Sequence, residues 1–293
     1  MLYTVQNDSL SVTANDHGAE LSSLMFNDTE FLWCGDQKWW PGRAPILFPI
    51  VGNLCGDSYT HNSRKYTMGN HGFARRSVFG LADKTNSAIT FSLRADDDTR
   101  AVYPFEFELL VTYAVDGGCL HTNFEVNNRS DKDMFFSIGG HPAFNCPLFP
   151  DEYFDDYEIV FNLLESAGNH IVDQDGFVSD ETTPFFNNSD TLSLNYDLFQ
   201  KHETLVFSGL NSSVATLRSR KTGAGIIMDF SDFPIFAIWT KPGAPFICME
   251  PCQGINDAPE FTGDLCDKRG IVKLAPGADY NRGYSISPVY ADN

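Results

Sequence analysis

The chain has 293 residues, of which 42% are hydrophobic and 20% are charged, a composition typical of a globular protein rather than a disordered one. Lys and Arg number 20 and Asp and Glu number 39, so the net charge is −19. This charge excludes nucleic acids and anionic membrane surfaces as partners, because both would repel the chain.

The seven cysteines are odd in number and irregular in spacing, and no CxxC pair occurs among them. We interpret them as free thiols in a reducing compartment. No secretion signal or 18-residue apolar run is visible, so we expect a cytoplasmic protein. No repeat or linker divides the chain, which predicts a single domain over residues 1–293.

Short strand patterns recur along the chain, in keeping with its 25 Phe and 11 Tyr residues. Gly, Asn and Asp turns separate these runs, and stretches with helical spacing are few and short. The pattern predicts an all-β sandwich or barrel of antiparallel strands with few short helices. The predicted strand runs are 88–94, 105–113, 120–126, 157–162, 204–207, 214–218 and 225–230.

Residues 145–200 form a looser segment that is rich in acidic pairs such as Asp151-Glu152 and Asp155-Asp156. Paired carboxylates can bind calcium, but the spacing of an EF-hand loop is missing. We therefore expect solvated acidic loops here.

The first candidate for a ligand contact lies in residues 43–54, where Pro45 and Pro49 bracket an apolar run and Gly52-Asn53 follows. Proline removes a ladder donor, so this strand is expected at a sheet edge or a bend. Arg43 is either a ligand contact or a surface arginine beside a core strand.

The second candidate segment, residues 70–76, places His71, Arg75 and Arg76 close together, and His71 is followed by a glycine that permits close backbone approach. These donors suit hydroxyl groups or an anion. A polar turn without function is the alternative.

The third segment, residues 138–147, contains His141 after two glycines and before a proline, which restricts the histidine to an extended backbone. Imidazole titrates near neutral pH, where acid–base catalysis is efficient. His141 is therefore a candidate proton donor, and a structural histidine is the alternative.

The fourth segment, residues 245–257, places Glu250 after an apolar run and before Pro251, at a predicted strand end in a hydrophobic setting. Burial raises the pKa of a carboxyl group and makes it a better base. Trp239 lies shortly before and is a candidate for an apolar wall against a sugar ring. Motifs for nucleotide cofactors, serine hydrolases and zinc proteases are missing, so neither a cofactor nor a metal is expected.

In order and spacing, these segments resemble the aldose 1-epimerase (galactose mutarotase-like) family, and within it a LacX-like bacterial branch. The residues that carry the resemblance are 16–33, 45–52, His71-Gly-Phe-Ala-Arg75, His141-Pro142 and Phe246-Ile-Cys-Met-Glu250-Pro251. The resemblance implies a β-supersandwich with the site in an open cleft on its concave face. It also implies a small-molecule sugar substrate, and we expect a monomer or homodimer.

The same resemblance implies roles for individual residues. His141 matches the general acid that protonates the ring oxygen, and Glu250 matches the general base on the anomeric hydroxyl. His71 matches a second histidine that orients the sugar, and Arg75 looks like a substrate contact. The predicted activity is interconversion of α and β anomers of an aldose.

Two departures from the family pattern affect the expected substrate. Asn53 stands where many relatives carry an arginine that contacts sugar hydroxyls, and Arg43 is a possible replacement. Glu203 is the candidate for the acidic residue that binds a sugar hydroxyl in relatives. The alternatives are an epimerase for hexose 6-phosphates, whose phosphate would be held by Arg43, Arg75, Arg76 and Lys241, and a sugar-binding protein without turnover.

Overall fold

The computed structural model describes residues 1–290, so residues 291–293 of the predicted domain lie outside the described part of the chain. Strands make up most of its regular structure. In chain order they are β1 (Leu2–Gln6), β2 (Leu10–Asn15), β3 (Leu21–Phe26), β4 (Thr29–Glu30), β5 (Ile46–Leu47), β6 (Ser58–His61), β7 (Arg64–Thr67), β8 (Gly80–Lys84), β9 (Ala88–Arg94), β10 (Phe107–Asp116), β11 (Cys119–Asn128), β12 (Met134–Phe136), β13 (Ile138–Gly140), β14 (Ala143–Asn145), β15 (Tyr157–Glu165), β16 (Asn169–Val172), β17 (Val178–Thr183), β18 (Ser189–Ser193), β19 (Thr204–Ser208), β20 (Val214–Ser219), β21 (Gly225–Asp229), β22 (Ile235–Trp239), β23 (Phe246–Gln253), β24 (Val272–Leu274) and β25 (Asp279–Val289).

Helices are short and few within residues 1–290. Two are α-helical, α1 (Asp97–Val102) and α2 (Tyr196–His202). The others are single 3₁₀ turns at Cys55–Asp57, Ala74–Arg76, Phe154–Asp156 and Leu265–Asp267. No helix in this part of the chain is long and apolar enough to cross a bilayer.

Two large sheets dominate the fold. The larger has nine strands in the order β18-β15-β20-β21-β25-β11-β10-β9-β8, and the smaller follows the order β19-β22-β23-β13-β5, with β14 also paired to β23. Smaller sheets, including the four-stranded β1-β2-β3-β4, complete the fold. Within the described residues every pairing between these strands is antiparallel, so the predicted antiparallel all-β architecture is confirmed.

The strand sequences explain how the two sheets pack. Along β10 and β11, joined by the tight Gly117–Gly118 turn, buried and less buried residues alternate, as expected for strands with one face in the core. Phe124 of the nine-stranded sheet shares one apolar core with Phe236 and Ile247 of the six-stranded sheet. The opposite face of the six-stranded sheet is therefore left to form the site.

Residues 145–200 are more ordered than predicted, because they contain β15 to β18 and α2. The expectation of solvated acidic loops is wrong for Glu152, which is 4% exposed. Its carboxylate accepts hydrogen bonds from the hydroxyl groups of Tyr157, Ser219 and Thr222. A buried carboxylate that is bonded in this way is a structural group.

Candidate active site

A cleft of about 480 Å³ lies on the face of the six-stranded sheet that is turned away from the core. Strand alternation explains its lining. In β23, Ile247 and Met249 point into the main core, whereas Glu250 and Cys252 line the cleft. The cleft brings together seven of the eight residues predicted for the site: Asn53, His71, Arg75, His141, Glu203, Trp239 and Glu250.

Glu250 lies inside β23 and not at a strand end, which corrects the sequence-based expectation. On one side β23 pairs with β22, and on the other it pairs first with β14 and then with β13. The strand continues through Pro251 because the pairing on this second side is interrupted between β13 and β14. Met249 N donates to Pro142 O at this interruption, and the imide nitrogen of Pro251, two residues on, points to the same side. A missing ladder donor therefore costs little at this position.

His141 occupies the same interruption, between β13 and β14. Its backbone N donates to Pro45 O at the start of the edge strand β5, at 3.2 Å. The preceding Gly140 is required for packing, since a Cβ there would lie 2.6 Å from the Tyr284 hydroxyl. The glycines before the histidine thus let β13 lie close to its neighbours and fix the position of the imidazole.

The His141 Nε2 and Glu250 Oε1 atoms are 3.4 Å apart at the floor of the cleft. Both residues are buried, with 7% and 6% of their surface exposed. Burial raises the pKa of Glu250 to about 8. Burial and the nearby charge of Arg75 lower the pKa of His141 to about 3. At neutral pH the two groups therefore hold one proton between them, and the pair titrates as a unit.

Two tryptophans enclose this imidazole. Trp40 stacks on His141 with ring centroids 4.9 Å apart, and Trp239 meets it edge-on at 5.9 Å. Sequence reasoning identified Trp239 but missed Trp40, although Trp39-Trp40-Pro41 just before Arg43 was the available signal. His141 Nδ1 is buried and has no hydrogen-bond partner in residues 1–290, so no acceptor in this part of the chain orients the ring.

His71 approaches His141 from another loop, with ring centroids 5.7 Å apart. Its Nδ1 accepts a hydrogen bond from Gly52 N at 3.0 Å, which places the proton of the neutral ring on Nε2. Burial and the nearby His141 hold the pKa of His71 well below its usual value. His71 is therefore a neutral side chain with an N–H available to a ligand.

Arginines line one part of the cleft. Arg75 and Arg76 belong to the 3₁₀ turn Ala74–Arg76, and both contribute to the cleft wall. Neither guanidinium forms a salt bridge with a carboxylate of residues 1–290. The structure does not bring Arg43 to the cleft, because its guanidinium donates to Ser22 O at 2.5 Å instead.

Asn53 holds a wall of the cleft in place. Its side-chain amide donates to Asp175 O, and Asn256 Nδ2 donates to Gly176 O at 2.6 Å. These two hydrogen bonds, which we call the amide clasp, hold the turn of the β16–β17 hairpin. Val172, Gly176 and Val178 of this hairpin line the cleft. At Gly52, φ is +77° and a Cβ would overlap the Asn256 side chain, so this glycine makes room for the clasp.

Glu203 lies on the rim. It follows α2 with φ at +54°, and its side chain is exposed. An exposed carboxylate at the rim can accept hydrogen bonds from a ligand, whereas the buried Glu250 carboxyl group, with its raised pKa, can take up or release a proton near neutral pH.

Comparison with known proteins identifies the family of the chain. The sequence profile of the aldose 1-epimerase family matches residues 1–287. The chain belongs to the aldose 1-epimerase family. A chromosomally encoded LacX protein of Lactococcus lactis subsp. lactis is 36% identical over 297 aligned residues, which cover 98% of this chain and 99% of the relative.

Solved structures of the family confirm the galactose mutarotase-like fold. A galactose mutarotase related enzyme from Lactobacillus acidophilus superposes with a TM-score of 0.93 at 35% identity, covering 99% of this chain and 97% of that one. A galactose mutarotase-like protein from Lactobacillus casei also gives a TM-score of 0.93, at 32% identity, covering 99% of this chain and all of that one. The resemblance inferred from the sequence is therefore confirmed, and it supports a carbohydrate epimerase or mutarotase.

Proposed function

We propose that this member of the aldose 1-epimerase family interconverts the α and β anomers of an aldose by opening and closing the sugar ring. The observation that carries the proposal is the pair of proton-transfer groups, His141 Nε2 and Glu250 Oε1, 3.4 Å apart on the floor of an open cleft. Ring opening requires one proton to leave the anomeric hydroxyl and one to reach the ring oxygen. A pair that holds a single proton can perform both transfers.

At rest the single proton lies on Glu250, because the pKa of its carboxyl group is about 8 and that of His141 is about 3. In the proposed reaction this proton first passes to His141 Nε2, 3.4 Å away. The Glu250 carboxylate then takes the proton of the anomeric hydroxyl while the His141 imidazolium protonates the ring oxygen. The bond between the ring oxygen and C1 breaks, and the open-chain aldehyde forms. Rotation about C1–C2 presents the other face of the carbonyl. Closure then returns the proton from Glu250 to the carbonyl oxygen, and His141 recovers its proton from the ring hydroxyl.

Other cleft residues support the binding of a sugar. The Nε2–H of His71 can donate to the ring oxygen or a neighbouring hydroxyl, because its Nδ1 is already occupied by Gly52 N. Trp40 and Trp239 offer flat apolar surfaces for the C–H face of the ring. Arg75 and the rim carboxylate of Glu203 can bind hydroxyl groups farther from the anomeric carbon.

The test is polarimetry of freshly dissolved α-glucose and α-galactose, with the spontaneous rate subtracted. Glu250→Gln keeps the shape of the side chain but removes the base, and we expect the catalysed rate to fall by about 10²–10⁴. Glu181→Gln removes an exposed carboxylate of the hairpin strand β17 and is the matched control. Near-normal rates in Glu250→Gln would overturn the role of the base. Saturable sugar binding without any rate enhancement in the native chain would favour a binding protein.

A phosphorylated aldose is a second candidate substrate. It is favoured by the two cleft arginines, Arg75 and Arg76, which are left without salt bridges to the described carboxylates in a chain of net charge −19. Guanidinium groups are well suited to phosphate. If a phosphate binds there, Arg76→Ala lowers kcat/KM for glucose 6-phosphate by about tenfold or more and leaves glucose unaffected. Equal effects on both sugars would refute this candidate.

A further inference from the structure

Strand β23 places a thiol beside the proposed acid–base pair. Cys248 precedes Glu250 by two residues, so both side chains lie on the same face of the strand. One donor atom from each of His141, Cys248 and Glu250 lies within 4.8 Å of the other two. The three residues are 7%, 0% and 6% exposed.

The chemistry of these donors matches one class of ligand. A thiolate, an imidazole and a carboxylate form a set typical of zinc, and catalytic zinc sites use three protein ligands and leave one position open. Zinc bonds of about 2.0 Å to nitrogen and oxygen and about 2.3 Å to sulfur place tetrahedral donors about 3.3–3.7 Å apart. His141 and Glu250 already have this separation at 3.4 Å, and the Cys248 Sγ, within 4.8 Å of both donor atoms, completes the set when its side chain moves toward them.

We propose that His141, Cys248 and Glu250 form a binding site for a soft divalent cation such as Zn²⁺ or Cd²⁺, and that its occupation inhibits the enzyme. The bound ion would engage the same nitrogen and oxygen that transfer protons in the proposed function, so the inhibition rests on that function, whereas the binding does not.

A neighbouring cysteine provides a matched control. Cys252 lies two residues beyond Glu250 on the same face of β23 and is also buried. Its Sγ points toward Gly139, where an added Cβ would lie 2.8 Å away. Cys252 is not part of the three-donor group found among the described residues, so its removal leaves the proposed site intact.

Cadmium binding tests the site independently of catalysis. The exposed Cys34 and Cys266 are first replaced by serine, because surface thiols also bind soft metals. In that background we expect an ultraviolet cadmium–thiolate band that saturates at one equivalent of Cd²⁺. The band should disappear in Cys248→Ser and persist in Cys252→Ser.

Two further variants keep the test decisive, because Cys248 is fully buried and a serine there places a hydroxyl in an apolar setting. Cys248→Ala avoids that hydroxyl, and His141→Gln removes a ligand from a different part of the fold. In His141→Gln the cadmium affinity should fall while the fold, checked by circular dichroism, persists. A band of unchanged strength in Cys248→Ala would overturn the proposal.

The anomerisation assay then tests inhibition. When free Zn²⁺ exceeds its dissociation constant about tenfold, about a tenth of the rate should remain, and EDTA should restore it. Mg²⁺, a hard cation that prefers oxygen ligands, should have no effect. Equal inhibition of Cys248→Ala and the background protein by Zn²⁺ would refute the site. A cadmium band in a protein that never anomerises sugars would refute the proposed function while supporting the metal site.

Discussion

The shared proton of His141 and Glu250 predicts a specific pH dependence for kcat/KM. Burial raises the pKa of Glu250 to about 8 and lowers that of His141 to about 3, so the pair carries one proton between these values. The proposed reaction needs this singly protonated state, with the proton on His141 at the moment of ring opening. The rate should therefore be flat from about pH 5 to about pH 7 and fall above about pH 8.

The size of the fall follows from the same pKa. One pH unit above an apparent pKa of about 8, the pair keeps its proton in about a tenth of the molecules, and two units above in about a hundredth. kcat/KM should fall with these fractions. His71 does not interfere, because its pKa is held well below the usual value and the ring stays neutral throughout this range.

The assay is polarimetry in a series of buffers at constant ionic strength, with the buffer-catalysed rate measured and subtracted at every pH. Circular dichroism at pH 9 controls for unfolding. The residual kcat/KM of Glu250→Gln should not fall near pH 8, because the titrating carboxyl group is gone. A rate that rises tenfold between pH 7 and pH 8 would refute the reasoning, since it would mean that Glu250 acts as an independent base and His141 need not hold a proton.

Two stability predictions concern the supports of the cleft, and both are checked by urea denaturation. The ammonium group of Lys268 lies 2.7 Å from the carboxylate of Asp257, and both residues are buried. Lys268→Met leaves this carboxylate without a counter-charge and should lower the free energy of unfolding by about 3–5 kcal/mol. A loss below about 1 kcal/mol would contradict this prediction. Gly140→Ala places a methyl group 2.6 Å from the ring of the buried Tyr284 and should cost about 1–3 kcal/mol. Gly80→Ala is its control, because the nearest atom to a Cβ there is 3.8 Å away, and equal losses in the two variants would contradict the packing argument.

Local pattern predicted much of the sheet structure. Residues 88–94 were predicted as a strand, and β9 has the same bounds, because alternation of buried and exposed residues is a local signal. Pro45 and Pro49, which lack ladder donors, predicted a strand at a sheet edge or a bend, and β5 between them lies at the edge of the six-stranded sheet. In contrast, β16 and β17 were missed, since their hairpin is stabilised by distant groups such as Asn53 and Asn256.

Only part of the candidate site could be predicted, because contacts between distant segments leave no local pattern in the sequence. Residue chemistry indicated His141 and Glu250 because an isolated histidine between turn residues and a carboxylate in an apolar run are conspicuous. Trp40 was missed because its contact with His141 joins two loops about a hundred residues apart in the chain, which no local pattern records. Arg43 was predicted near the ligand from its place in the sequence, but its guanidinium donates to Ser22 O and does not line the cleft.

The amide clasp of Asn53 and Asn256 also limits which substitutions at residue 53 are compatible with the hairpin turn. Asn53 holds the hairpin turn through the Asp175 carbonyl, while Gly52 leaves space for the second amide of Asn256. Replacement of Asn53 by arginine would remove this bond and insert a longer cation beneath the turn. We therefore expect residue 53 and residues 173–177 to be inherited together, because a change at position 53 requires a compensating change in a loop more than a hundred residues away.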